Sequence, residues 1–328
     1  HILVDEYQDT NALQARILRG RAPMTQRAGA LLPPADFAKT AKELEAKLFR
    51  KPSEFDRPLV EAISELRKSG TGVVLASPGW EFDRPRDLLP KAVASAQRAI
   101  DLDPRLPDGY AVHGLARMWL SGDVKGAEED IRRAIALNAN YAMAHRYLST
   151  VLVVTGRPLD AVDSARRALQ LDPLAPASGT TVAYRLYYAG KFAEALTEFD
   201  RALEGSPDYV SAWIGKAQTF RALGKAAEAR RAVEEAEKRG SGRTYVEAYR
   251  AYSLAKDGRT DEARAILASL TALAAQQYIS PYHFALVAAG LGDAAEVRRQ
   301  LARLQEDGSG WVVFLPIERE LAAFRTTS

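Results

Sequence analysis

A period of 34 residues runs through most of this sequence and constrains its fold more than any other feature. Glycine recurs on this step at Gly122, Gly156, Gly190, Gly224, Gly258 and Gly292. Alanine recurs on it at Ala127, Ala161, Ala195, Ala229 and Ala263, and again at Ala134, Ala168, Ala202 and Ala236. A fixed period of this length indicates a chain built by stacking one supersecondary unit many times.

The residues between these fixed points predict two helices in each unit. The first helix runs up to the glycine, as from Tyr141 to Val154, and the second runs on to an Asp-Pro pair, as from Leu159 to Leu171. Glycine ends the first helix because it adopts a left-handed backbone without a Cβ penalty. Proline cannot continue the second helix. We therefore expect six helix pairs, preceded by one helix from about Arg86 to Leu102.

The small residues, turn glycine, alanine pair and closing proline together resemble the tetratricopeptide repeat, over about Arg86 to Gln305. Tyr110 and Trp213 occupy the large aromatic position of that repeat, and His145 and Gly179 depart from it. The resemblance implies an all-α fold, a right-handed α-solenoid of about six helix pairs with a small helical N-terminal region. The predicted segments are a helical region or cap at 21–85, the repeat array at 86–309 and a C-terminal tail at 310–328.

The resemblance also implies that the first helix of each pair lines a concave groove. In that register the candidate partner-binding residues are Arg146, Tyr184, Tyr187, Gln218, Arg221, Tyr245 and Tyr252. Tyrosine and arginine are enriched among residues that dominate binding energy. The same tyrosines could instead pack between neighbouring repeats, because a ring with a polar tip suits both roles. Replacing Tyr184 or Arg221 by alanine separates the two: a groove role costs partner binding, and a packing role costs melting temperature.

The end of the sequence is similar to a narrower group of proteins. The segments 278–282, 288–293 and 309–315 resemble the closing repeat and tail of bacterial tetratricopeptide modules that follow a signalling head. In that group the head is a winged-helix transcription regulator, an adenylate cyclase or a serine/threonine kinase. The resemblance implies a protein–protein interaction scaffold or sensory module of a bacterial regulatory protein, which binds a partner segment in its concave groove.

Residues 1–20 carry a different signal. The aliphatic run Ile2-Leu3-Val4 leads into Asp5, Glu6 and Gln8, and residues 1–18 resemble motif II, the Walker B segment, of superfamily-one DNA helicases. In that family the residue matching Asp5 holds Mg²⁺ and the residue matching Glu6 orients the attacking water. The sequence has no Gly-x-x-x-x-Gly-Lys-Ser/Thr loop to hold phosphates, so we do not expect ATPase activity.

The alternative function is therefore a fragment of a helicase-linked, ATP-dependent DNA-processing protein. It predicts Mg²⁺-dependent nucleotide binding that Asp5→Ala abolishes, whereas a binding scaffold predicts none.

Composition narrows the remaining classes. The 45 Lys and Arg residues against 42 Asp and Glu give a net charge of +3, which is too balanced for a polybasic nucleic-acid surface. The absence of cysteine excludes disulfides and thiolate zinc sites, and no two of the four histidines have a zinc-ligand spacing. No apolar run reaches the ~18 residues of a membrane span. We expect no enzymatic activity, metal or cofactor, a cytoplasmic location, and a protein or peptide partner rather than nucleic acid; the oligomeric state is left open.

Overall fold

The computed structural model describes residues 84–240 and 242–324, and within these ranges the regular structure is helical throughout. The described helices are α1 (Pro85–Leu102), α2 (Pro107–Ser121), α3 (Val124–Leu137), α4 (Ala142–Val154), α5 (Pro158–Leu171), α6 (Pro176–Tyr188), α7 (Phe192–Gly205), α8 (Val210–Ala222), α9 (Ala226–Gly240), α10 (Thr244–Lys256), α11 (Thr260–Ala274), α12 (Pro281–Leu291) and α13 (Ala294–Glu306). Two short 3₁₀ turns follow, at Gly310–Val313 and Ala322–Phe324.

These helices form the predicted α-solenoid. After α1 they pair as α2–α3, α4–α5, α6–α7, α8–α9, α10–α11 and α12–α13, which we call repeats one to six. The helix predicted from Tyr141 to Val154 is observed as Ala142–Val154, and the one predicted from Leu159 to Leu171 as Pro158–Leu171. The 34-residue step therefore locates the helices to within about a residue, which is the usual uncertainty of helix ends.

The turn between the helices of each repeat depends on its glycine. All six periodic glycines have a positive φ, from 70° at Gly122 to 83° at Gly258. An L-residue with a Cβ rarely adopts this conformation, which explains why the sequence returns to glycine at every 34th position. The alanines of the second helix have the opposite role, because Ala127, Ala161 and Ala195 are fully buried where helices approach closely.

The first helices form one continuous surface. Helices α2, α4, α6 and α8 pack on one another in succession, and α10 packs extensively on α12. Successive second helices make no comparable contact within 84–240 and 242–324. Helices that stand closer together on one side give a solenoid its curvature, so the first helices line the concave side. We call the surface that these first helices present on the concave side the inner face.

The predictions for residues 1–20, with Asp5, Glu6 and Gln8, and for 21–83 lie outside the described residues. Among the described helices, none is both long and apolar enough to cross a bilayer.

Candidate functional site

Tyr184, a candidate groove residue on α6, contacts the next repeat. Its hydroxyl donates a hydrogen bond to the main-chain oxygen of Ser211 at 3.0 Å. Its ring meets the Phe199 ring edge-on, with 5.2 Å between the centroids. Burial raises the pKa of the Tyr184 phenol. Ser211 belongs to α8, so this side chain joins repeats three and four, and its contacts favour the packing alternative.

Arg221 makes the corresponding connection between repeats four and five. Its guanidinium donates to Ser253 Oγ at 2.7 Å and to Asp257 Oδ1 at 3.1 Å. The Asp257 side chain is only 7% exposed, and the partly exposed Arg230 also reaches its other oxygen, at 3.2 Å. The buried carboxylate depends on these two guanidinium groups for its charge compensation.

We expect Arg221→Ala to lower the free energy of unfolding by about 2 kcal/mol, because it removes the buried partner of Asp257 while Arg230 retains part of the compensation. The matched control is Arg230→Ala, which removes the more exposed partner and should cost less than about 1 kcal/mol. Thermal unfolding followed by circular dichroism measures both. Equal melting temperatures for Arg221→Ala and wild type would instead favour a role confined to the groove.

The other predicted residues follow the same inner face. Arg146, Gln218 and Tyr245 are half-buried, whereas Tyr187 and Tyr252 are almost fully buried. Desolvation raises the pKa of Tyr187 and of Tyr252, and in both cases the charges of Glu320 and Glu318 raise it further. The structure therefore brings these two tyrosines, which are on different repeats, close to the same acidic part of the chain. Partner binding by the seven residues stays a prediction.

That acidic part is the segment after the last repeat, which lies across the inner face. Trp311 stacks on Tyr282 with 3.6 Å between the ring centroids and an angle of 2°. Phe314 stacks on Trp119 at 5.7 Å. Trp119 and Tyr187 occupy equivalent positions two repeats apart, and Tyr282 occupies the position of Arg146 four repeats later. All three are inward positions, so residues 310–324, which we call the tail segment, cover the concave side.

The tail segment is also anchored further along its length. The guanidinium of Arg319 lies over the rings of Tyr187 and Phe192, at 5.4 and 5.0 Å from their centroids. Phe314, Glu318 and Leu321 are 7%, 1% and 2% exposed. The segment thus contacts first helices from repeat one to repeat six, and it places a carboxylate among the inner-face tyrosines. Sequence reasoning assigned 310–328 to a tail without this position.

Arg185 on α6 is a second feature that sequence reasoning missed. It is 7% exposed and donates to Ser149 Oγ at 3.1 Å and Thr150 Oγ1 at 2.7 Å, both on the preceding repeat. Burial, together with the smaller effect of the neighbouring charge of Arg146, lowers the pKa of the guanidinium to about 10. The sequence does carry a signal for this residue. The equivalent positions one repeat earlier and one repeat later hold the uncharged Val151 and Thr219.

A cavity of about 810 Å³ lies away from these residues, between the α11–α12 connection and α13. Its lining includes Arg84, Glu296, Arg299 and Arg303, and none of the predicted groove residues. Within the described residues no group of three or more histidine, aspartate or glutamate side chains could hold a metal ion.

Comparison with known families identifies the repeat. A family model described as tetratricopeptide repeat matches residues 119–176 and 182–244, which run from the end of α2 past the end of α9. These residues contain tetratricopeptide repeats. The matched residues include the turn glycines Gly122, Gly156, Gly190 and Gly224 and the alanine pairs that follow them.

Among similar solved structures, one shows the same fold. TTC0263, a thermophilic TPR protein from Thermus thermophilus, is 17% identical, covers 59% of this chain and 98% of its own, and has a TM-score of 0.50. YrrB, named as a TPR protein with an unusual peptide-binding site, is 19% identical with a TM-score of 0.40, covering 58% of this chain and 94% of its own. MamA is 16% identical with a TM-score of 0.40, covering 50% and 94%. A comparison with curated proteins found no match.

Proposed function

We propose that this chain is a protein-binding module whose inner face takes a segment of a partner protein. Stacked helix pairs expose an extended concave surface of the size that a peptide segment requires. The inner face presents half-buried Arg146, Gln218 and Tyr245 beside the covered tyrosines. The single observation that carries the proposal is that this surface already holds a peptide segment, because residues 310–324 lie on it through aromatic stacking.

We further propose that the module is the sensory or scaffold portion of a bacterial regulatory protein. This finer role is supported by the resemblance of 278–282, 288–293 and 309–315 to the closing repeat and tail of such proteins. Two of these three segments carry Tyr282, Trp311 and Phe314, the residues through which the tail segment contacts the inner face. The residues behind the resemblance are thus also those that determine whether the face is covered.

Site-specific photocrosslinking in the cells that produce the protein tests the binding surface. A photoreactive benzoylphenylalanine at Gln218 places the probe on the inner face, and the same residue at Arg133, exposed on α3, is the matched control on the opposite side. We expect one discrete ultraviolet-dependent adduct from position 218 and none from 133. Adducts from 133 alone, or the same adducts from both positions, would place partner binding elsewhere. Mass spectrometry of the adduct then shows whether the partner is a regulatory protein.

A further inference from the structure

The contacts of the tail segment divide into local backbone bonds and side-chain contacts with the inner face. Its described backbone hydrogen bonds are local: Phe314 N–H donates to Trp311 O, Ile317 N–H to Phe314 O, and Phe324 N–H to Leu321 O. Its contacts with the repeats are made by side chains and include ring stacking, a guanidinium over rings and the apolar packing of Phe314 and Leu321. Such a segment can leave the inner face without breaking the helical hydrogen bonds of either part.

The chain leaves the last helix through a turn that points the tail segment back to repeat one. Gly308 has a φ of 65° after α13, and the backbone N–H of Arg86 on α1 donates to Asp307 O at 3.3 Å. Two residues later, Gly310 lies against Trp119 so closely that a Cβ on it would be 2.7 and 2.9 Å from atoms of the indole ring. The position of the segment is therefore determined where it enters the inner face.

Four residues through which the segment contacts the inner face follow a regular spacing. Trp311 and Phe314 are three residues apart, Glu318 follows after four and Leu321 after three more. In a helical peptide such a spacing presents one face to a groove, and here the 3₁₀ turn at Gly310–Val313 and the turns after it bring the four side chains to the inner face. That face consists of the half-buried Trp311 and the buried side chains of Phe314, Glu318 and Leu321.

We propose that the tail segment is a resident ligand of the inner face, and that an external partner binds there by presenting the same pattern and displacing it. The partner segment then carries two aromatic residues three apart, an acidic residue four positions later and an aliphatic residue three positions after that. This inference rests on the proposed protein-binding function, and it adds both the chemistry of the partner and competition with the tail segment. Affinity for the partner is reduced by the fraction of time that the face is covered.

The test uses the full-length chain and a synthetic peptide with the sequence of residues 309–324, labelled with fluorescein. Gly310→Ala should loosen the tail segment, because its methyl group collides with the buried Trp119 ring. Gly205→Ala is the matched control, because a Cβ at Gly205 meets no atom within 4 Å. We expect the peptide to bind Gly310→Ala about tenfold more tightly than either wild type or Gly205→Ala, since the competing segment is docked for less of the time.

Hydrogen–deuterium exchange on the wild-type chain gives a reading that does not depend on any variant. We expect amides of 312–318 to exchange faster than those of α6 and α12, and to exchange faster still when unlabelled peptide is added. The proposal would be overturned if the tail amides exchanged only through global unfolding of the protein and the peptide did not bind. The proposal would also be overturned if Gly310→Ala formed dimers that the peptide does not dissociate, because a second copy of the chain would then occupy the inner face.

The two proposals fail in different ways. A crosslinked partner at position 218 whose binding is the same for wild type and Gly310→Ala would overturn the displacement and leave the protein-binding function in place. Peptide binding that responds to Gly310→Ala, with no crosslinked partner in cells, would support the resident ligand and contradict the binding function.

Discussion

Gly215→Ala is expected to lower the free energy of unfolding by about 3 kcal/mol, at the upper end of what overpacking a core costs. Gly215 lies on α8, and a Cβ there would penetrate the ring of Phe199 on α7. Phe199 is fully buried, and its ring is held edge-on against Tyr184. The ring therefore cannot move aside without displacing Tyr184, whose hydroxyl bonds to repeat four, and the clash must separate α7 from α8.

A double-mutant cycle with Phe199→Leu tests this explanation. Phe199→Leu alone should cost about 1–3 kcal/mol through the cavity it leaves. Combined with Gly215→Ala it should cost at least about 1 kcal/mol less than the sum of the two single changes, because the new methyl group fills that cavity. Urea unfolding of the four proteins gives the coupling, and Gly205→Ala on α7 is the unhindered glycine control. Additive effects would show that the ring is not the obstacle.

The sequence predicts the helix pairs well because their boundaries depend on local backbone chemistry. A positive φ at Gly122 or Gly258 favours glycine, and the proline at the start of α6 suits the first turn of a helix, where its missing N–H costs nothing. Each such residue acts within its own turn. The 34-residue step therefore specifies the positions of α4 and α5 without any knowledge of how the repeats pack on one another.

The position of the tail segment could not be predicted in the same way. One of its contacts joins Phe314 to Trp119, at opposite ends of the array. Whether the two meet depends on the curvature that accumulates over six repeats, and small rotations in each repeat decide it. The 3₁₀ turn at Gly310–Val313 has no periodic pattern of its own. The aromatic residues after the last repeat were visible, but nothing in the sequence gave them a position.

The candidate groove residues show a second limit of sequence reasoning. The register placed Tyr184 and Arg221 on first helices and left open whether they face a partner or a neighbouring repeat. In the structure each bonds to the next repeat, through Ser211 and through Ser253. The register gives the direction of a side chain from its own helix, but the length of tyrosine and arginine lets the polar end reach the adjacent helix.

His283 is expected to make the stability of the array depend strongly on pH. It lies on α12, is 3% exposed, and neither ring nitrogen has a hydrogen-bond partner among the described residues. Burial lowers the pKa of His283 from 6.5 to about 4. The unfolded chain therefore binds a proton near pH 6.5, whereas the folded protein does so only near pH 4. Stability is greatest above pH 6.5 and falls as the pH falls toward 4, by about 3 kcal/mol in total.

Replacing His283 by leucine should remove this dependence and stabilise the protein at pH 7. Leucine has no buried polar atoms, so the gain at pH 7 should be about 1 kcal/mol. The gain over wild type should widen to about 4 kcal/mol by pH 4, because proton uptake by His283 stabilises the unfolded state of the wild-type protein alone. Urea unfolding of both proteins at intervals between pH 7.5 and pH 4 measures this difference in unfolding free energy. The contribution of carboxylates that titrate in both proteins cancels in the difference.

His145→Leu is the matched control for the loss of an imidazole. The Nε2 atom of His145 lies 3.0 Å from the main-chain oxygen of Ala139, so this ring has the hydrogen-bond partner that His283 lacks. His145→Leu should therefore destabilise the protein at pH 7 by about 1 kcal/mol, the opposite sign to His283→Leu. If His283→Leu and wild type keep a constant difference in stability from pH 7.5 to pH 4, the folded protein must admit the proton freely. The end of the array around α12 would then be open to water rather than part of a closed core.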